Sequence, residues 1–192
     1  MIEIKNTKFK GTWREVADSA RTTIGLDVGE KEPSYKWKRQ ILLAEHSPIR
    51  QIQFKWKWIN LPYWVSVHFV RHWLGILHFV RSQRDDRTTT LNQTHKSRAQ
   101  ATQDTPVEHE CEANAQALIN ISRKRLCHQA SKETREAWLL VAEEVRKKDP
   151  VLGSVLVPEC IYRGFCPEFK SCGYAKSADF QILLDEYRRI NF

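Results

Sequence analysis

The chain has 192 residues, with 31 Lys plus Arg against 23 Asp plus Glu, a formal charge of +8 and a pI near 9.3. That length suits one domain over residues 1–192, and 41% hydrophobic residues with seven Trp exclude a wholly disordered chain. No apolar run approaches the ~20 residues that cross a bilayer. Met1–Lys10 lacks the apolar stretch of a secretory signal, so the cytoplasm is the expected compartment. The positive surplus predicts an anionic partner without separating nucleic acid from a phosphorylated small molecule. No two glycines are spaced G-x-G, and neither G-K-[ST] nor H-E-x-x-H occurs. A nucleotide bound here would therefore rest on side chains and helix ends.

In chain order, Ile2–Ile4 suits a short edge strand. Thr12 to Ile24 has a helical pattern, with Trp13, Val16, Ala17 and Ala20 on one face and Thr12 as N-cap. "GLDVGEKEPS" reads as a loop, and Trp37 to Ala44 as a short helix. Ile52, Phe54, Trp56 and Trp58 alternate with Gln53, Lys55 and Lys57, which predicts a strand with one buried face. Pro62 fits the first position of a helix running to about His72. Gly75 marks a break, and Phe79 to Thr90 reads as a polar, arginine-rich segment. Ser82 to Val107 predicts a long surface loop. Glu112–Ala130 and Lys132–Lys147 predict helices, the second ended by Asp149-Pro150. From Val151 the chain reads as irregular until a last amphipathic helix over Ala178–Ile190. No internal repeat and no linker divides it.

The five cysteines are 111, 127, 160, 166 and 172. An odd count without a secretion signal argues against a disulfide framework. Cys160, Cys166 and Cys172 form C-x5-C-x5-C, outside the C-x2–4-C spacing of structural zinc sites. A fourth ligand would have to be Cys111, Cys127 or a His. Buried or turn cysteines are the plainer reading, and no metal ligand is assigned.

Polar groups concentrate in "EHSPIRQ", "RHWLGILHFVRSQRDDR", Arg98 and "NAQALINISRKRLC". These stretches resemble the flavin-dependent thymidylate synthases (ThyX). That family's R-H-R, seven-residue spacer and S-x-R are matched by Arg71-His72 and Ser82-Gln83-Arg84. His46 lies twenty-five residues before Arg71, and Arg98 sixteen before Asn114. The family's N-x-R and later Arg fall on Asn114, Gln116 and Arg125, with Ala130 and Glu133 in register beyond. The resemblance spans residues 36–165, leaving 166–192 as a C-terminal extension. "HFVRSQRDDRT" and "PECIYRGFCPE" resemble a divergent branch found in phages.

The resemblance implies an α+β fold, with a curved antiparallel sheet flanked by helices. It implies reductive methylation of dUMP to dTMP, with methylenetetrahydrofolate giving the carbon, reduced FAD the hydride and NADPH reducing the flavin. It also implies a homotetramer with shared active sites. Arg125 matches the arginine that binds the uracil ring and favours its ionisation. Arg71, Ser82, Gln83, Arg84 and Arg98 match dUMP-binding positions. His46, Arg71, His72, Trp73, Asn114, Gln116 and Asn120 fall on the flavin side.

Several positions depart from the family. Trp73 replaces the third residue of R-H-R, and the following spacer is one residue longer. Gln116 stands for an Arg, His68 for a Gln, and Phe79 and Val80 for an Asn and a Glu. Either FAD binds through altered contacts, helped by Arg81, Lys96 or Arg123, or the reaction has shifted, for instance to hydroxymethylation of a pyrimidine nucleotide. A nucleic-acid-binding module is the remaining reading, from the charge and "FKWKW". It is disfavoured because Trp and Lys on a strand point to opposite faces.

Overall fold

The strand pattern at residues 52–58 organises the architecture. The structure, a computed structural model, describes residues 1–84 and 98–189. Arg87 of the arginine-rich segment and Lys96 lie outside them. β1 (Glu3–Lys10), β2 (Gln53–Pro62), β3 (Ile76–Val80) and β4 (Pro106–Asn114) form one antiparallel sheet in the order β1-β2-β4-β3. Register shifts between Lys5 and Lys8 and between Trp58 and Leu61 mark bulges. Asn6 and Asn60 adopt positive φ there.

The register explains the alternation. Phe54, Trp56 and Trp58 lie opposite Ala113, Cys111 and His109, and all six are buried on one face. On the other face Lys55 pairs with Glu110 at 2.7 Å, Lys10 with Glu112 at 2.7 Å, and Lys57 with Glu108. The lysines of "FKWKW" are thus matched by β4 carboxylates and its tryptophans are buried.

Helices cover the apolar face. Trp138 of α5 (Lys132–Lys148) packs edge-on to Trp56 at 5.8 Å, and Phe69 of α3 (Tyr63–Val70) stacks on Trp58 at 4.4 Å. Contacts of this kind add about 0.5–1.5 kcal/mol beyond area burial. Their polar ends are satisfied: Trp58 Nε1 donates to the Ala137 carbonyl at 3.0 Å, and Trp138 Nε1 to Ser122 Oγ at 2.9 Å. Outside this layer, Thr12 caps α1 (Trp13–Thr22) in a reciprocal capping box with Glu15. Ser34 caps α2 (Tyr35–Leu43).

Four boundaries differ from the sequence expectation. The edge strand extends to Lys10. Pro62 ends β2 and caps α3, which stops at Val70, so Arg71 is the C-cap and His72 lies beyond it. Residues 76–80, partly assigned to the polar segment, are β3. The helix expected from Glu112 begins at Ala115, as α4 (Ala115–Arg125), after β4. Its predicted start was misread because Glu108, Glu110 and Glu112 are good helix formers. Burial of Val107, His109, Cys111 and Ala113 at period two overrides that preference. Past α5 lie short helices α6 (Pro150–Gly153) and α7 (Glu159–Arg163), then α8 (Ala178–Arg188).

Candidate active site

The C-terminal ends of α3 and α4 meet. Arg125, the last residue of α4, donates from Nε to His72 Nε2 at 2.9 Å and from Nη2 to the His68 carbonyl at 2.8 Å. The guanidinium is half-buried. Burial, then the neighbouring charge of Arg71, lowers its pKa. Burial, then Arg125 and His78, pushes His72 down to about 4. His72 is therefore neutral near neutral pH. Because its Nε2 accepts from Arg125, its proton is assigned to Nδ1. The result is a fixed cation beside a neutral imidazole donor.

Behind His72 a hydrogen-bonded series runs into the core. His78 Nε2 lies 2.7 Å from the His72 carbonyl, His78 Nδ1 lies 3.0 Å from His109 Nε2, and His109 Nδ1 lies 3.2 Å from Ser66 Oγ. Burial, then His78, lowers His109 to about 3. His78, His109 and Cys111 bring their nitrogen and sulfur atoms within 4.8 Å of one another, a set that could hold a metal ion. The hydrogen bonds account for the same distances. Sequence reasoning missed this series. The i, i+2 spacing of His109 and Cys111 is visible, but their pairing with His78 depends on register.

A second grouping lies along α4. Gln116 Nε2 donates to a carboxylate oxygen of Glu45, and Arg123 pairs with the same carboxylate. Arg123 also donates to Asn120 Oδ1 at 3.3 Å and covers the Tyr162 ring at 3.5 Å. Its Nε is buried without a hydrogen-bond partner among the described residues, a donor suited to an anion. Glu45, with φ of 51°, was not anticipated. His46 follows it, exposed and lining a cavity of about 330 Å³ with Trp37 and Ile24. Asn114 caps α4 by accepting from the Ala117 N–H at 2.9 Å, and its own N–H donates to the Gly75 carbonyl at 2.9 Å.

The remaining predicted residues are more peripheral. Arg71 and Trp73 are exposed, Trp73 by 72%. Ser82 and Arg84 are exposed beyond β3, where Ser82 Oγ accepts from the Arg84 N–H at 3.3 Å. Gln83 Nε2 is buried and unpartnered among the described residues. Ser82 is four residues past His78, about 14 Å along an extended edge. Arg98 opens a short 3-10 turn at Arg98–Gln100.

The four-stranded antiparallel sheet with helices packed on its apolar face is a ThyX-like fold. Two solved structures carry the likeness. The UMP/dUMP methylase PolB from Streptomyces cacaoi, bound with 5-Br dUMP, aligns with a TM-score of 0.65 at 15% identity, over 86% of this chain and 96% of that one. Thymidylate Synthase X (ThyX) from Helicobacter pylori, with FAD and dUMP, aligns at 0.59 and 13% identity, over 82% and 99%. No protein-family model matches the sequence. No curated protein matches it either. The fold agrees with the resemblance carried by the sequence motifs.

Proposed function

We propose that this chain is a flavin-dependent enzyme acting on the uracil ring of dUMP, and that its reaction is reductive methylation to dTMP. The observation that carries this reading is the half-buried Arg125, held by His72 and the His68 carbonyl at the position the ThyX motif gives to the uracil-binding arginine. A guanidinium fixed in advance stabilises negative charge developing on the ring without reorganising. His72, neutral with its Nδ1–H available, adds an uncharged donor. Methylenetetrahydrofolate would supply the carbon and NADPH the reducing equivalents for the flavin.

The residues fit FAD, with altered contacts. The unpartnered Nε of Arg123 suits a phosphate oxygen. The exposed Trp73 offers a ring face in place of the family's charge. Arg71, His72, Asn120 and Gln116 complete the flavin side, with His46 beside Glu45. Bound reduced FAD would supply the hydride, so no protein nucleophile is required. Cys111 is buried and its thiol is held well above its ordinary pKa by burial, then Glu110, which suits that reading.

The active unit in this reading is a homotetramer with shared sites, dUMP being held by Arg71, Ser82, Gln83, Arg84 and Arg98 contributed across subunits. The exposure of Ser82 and Arg84 beyond β3 supports this. So do exposed Trp73, Leu74, Leu77 and Phe79 along the edge carrying β3. The likeness to a UMP/dUMP methylase favours a second reading, in which the same site takes another pyrimidine nucleotide.

Titrating the purified protein with FAD, with and without dUMP, and following the flavin absorbance tests the reading. Binding at micromolar FAD supports it. No binding with dUMP present removes it.

A further inference from the structure

The cysteine pattern left unassigned by the sequence acquires a fourth member in space. Cys127 lies just beyond α4, Cys160 in α7, and Cys166 and Cys172 in the irregular stretch 164–173. All four thiols are free and line one cavity of about 10 Å³. That is room for a single water-sized body. Four of the five cysteines, from three separate segments, line it.

A coordinating thiol is deprotonated by the ion it binds.

The surrounding apolar cluster is small. Among the described residues, its buried members are Val157, Cys160, Ile161, Phe180 and Leu184. Residues 164–173 form neither helix nor strand, and Phe165 and Phe169 are exposed. Gln129 Nε2 reaches the Lys170 carbonyl at 2.7 Å across the same junction. Segments with so little core are commonly held by a metal or disulfides.

We propose that Cys127, Cys160, Cys166 and Cys172 bind one zinc-class divalent cation through four thiolates, tying residues 157–184 to the end of α4. The C-x5-C spacing is unusual for zinc, but tetrahedral S4 coordination requires convergence rather than a particular spacing.

The test uses the full chain, reduced and stripped of metal, titrated anaerobically with cobalt(II). One equivalent per chain is expected, with sulfur-to-cobalt charge-transfer bands and the strong visible bands of a tetrahedral ion. Zinc should displace it. Cys166→Ser and Cys172→Ser should each weaken binding by more than about 100-fold, beyond the loss typical of outer-shell changes. Cys111→Ser, which alters the separate His78–His109–Cys111 group, should leave it unchanged. The wild-type titration stands whether or not a variant folds, and none of these readouts involves flavin. Absence of the charge-transfer bands in the wild type would overturn the proposal. So would binding lost in Cys111→Ser but kept in Cys172→Ser, or a native mass showing two disulfides and no metal.

Discussion

Arg125 and His72 are joined by an N–H···N bond of 2.9 Å that only a neutral imidazole can accept. The bond orients the guanidinium and fixes the histidine tautomer together. Arg125→Ala removes the charge and this bond, with little loss of core apolar area because Arg125 is only half-buried. It should lower kcat/KM for dUMP by at least about 100-fold, the scale of losing one preorganised charge-stabilising group. Circular dichroism should stay as in the wild type. Arg125→Lys should recover little, because one ammonium cannot reproduce the fork to both His72 and the His68 carbonyl. Wild-type turnover in Arg125→Ala would refute the assigned role.

Acid should destabilise the fold through two histidines. His72 sits at about 4 and His109 at about 3, both below the ordinary 6.5. Between those values and 6.5 the unfolded chain binds more protons. Stability is therefore fully present above about pH 6.5 and is lost as pH falls towards 4 for His72 and 3 for His109. Each contributes at most about 1.4 kcal/mol per pH unit, and the partly exposed His72 less. Thermal melts between about pH 7.5 and 5 should show Tm falling with pH, with a shallower slope in His72→Gln. A flat profile contradicts the account.

The sequence made the helical cap at Thr12, the buried face of residues 52–58 and the second long helix legible, because each is a local pattern. Arg125 and His72 were each singled out through motif spacing, but their contact with each other was not legible. Glu45, His78 and His109 were not, because their roles depend on long-range pairing. Glu45 meets Arg123 across 78 positions, and His78 meets His109 through the β3–β4 register. The β4 segment was misjudged because local helix preference opposed tertiary burial. The two arginines of α4 divide accordingly: Arg123 is paired with Glu45, whereas Arg125 lies against a neutral histidine.

Gly75 should resist substitution. Its φ is +74°, and an added Cβ would stand 2.6 Å from Asn114 Nδ2, the side chain that caps α4. Gly75→Ala should cost about 1–3 kcal/mol, from backbone strain and a disturbed cap. Urea unfolding measures this as a lower midpoint with an unchanged slope. A midpoint equal to the wild type would show that the cap relaxes at no cost.

Glu45→Gln should release Arg123 from its carboxylate and remove a negative charge from the proposed flavin side. FAD should then bind severalfold more tightly, with the gain shrinking at high salt as a charge effect must. Fluorescence titration of FAD measures it. Weaker binding would show that Glu45 positions Arg123 rather than competing for it.

The most direct test of the central claim is product analysis after incubating the protein with dUMP, methylenetetrahydrofolate, FAD and NADPH. The account predicts dTMP by mass spectrometry, formed only when FAD is present and lost in Arg125→Ala. Unchanged dUMP in a preparation that binds both FAD and dUMP would contradict it.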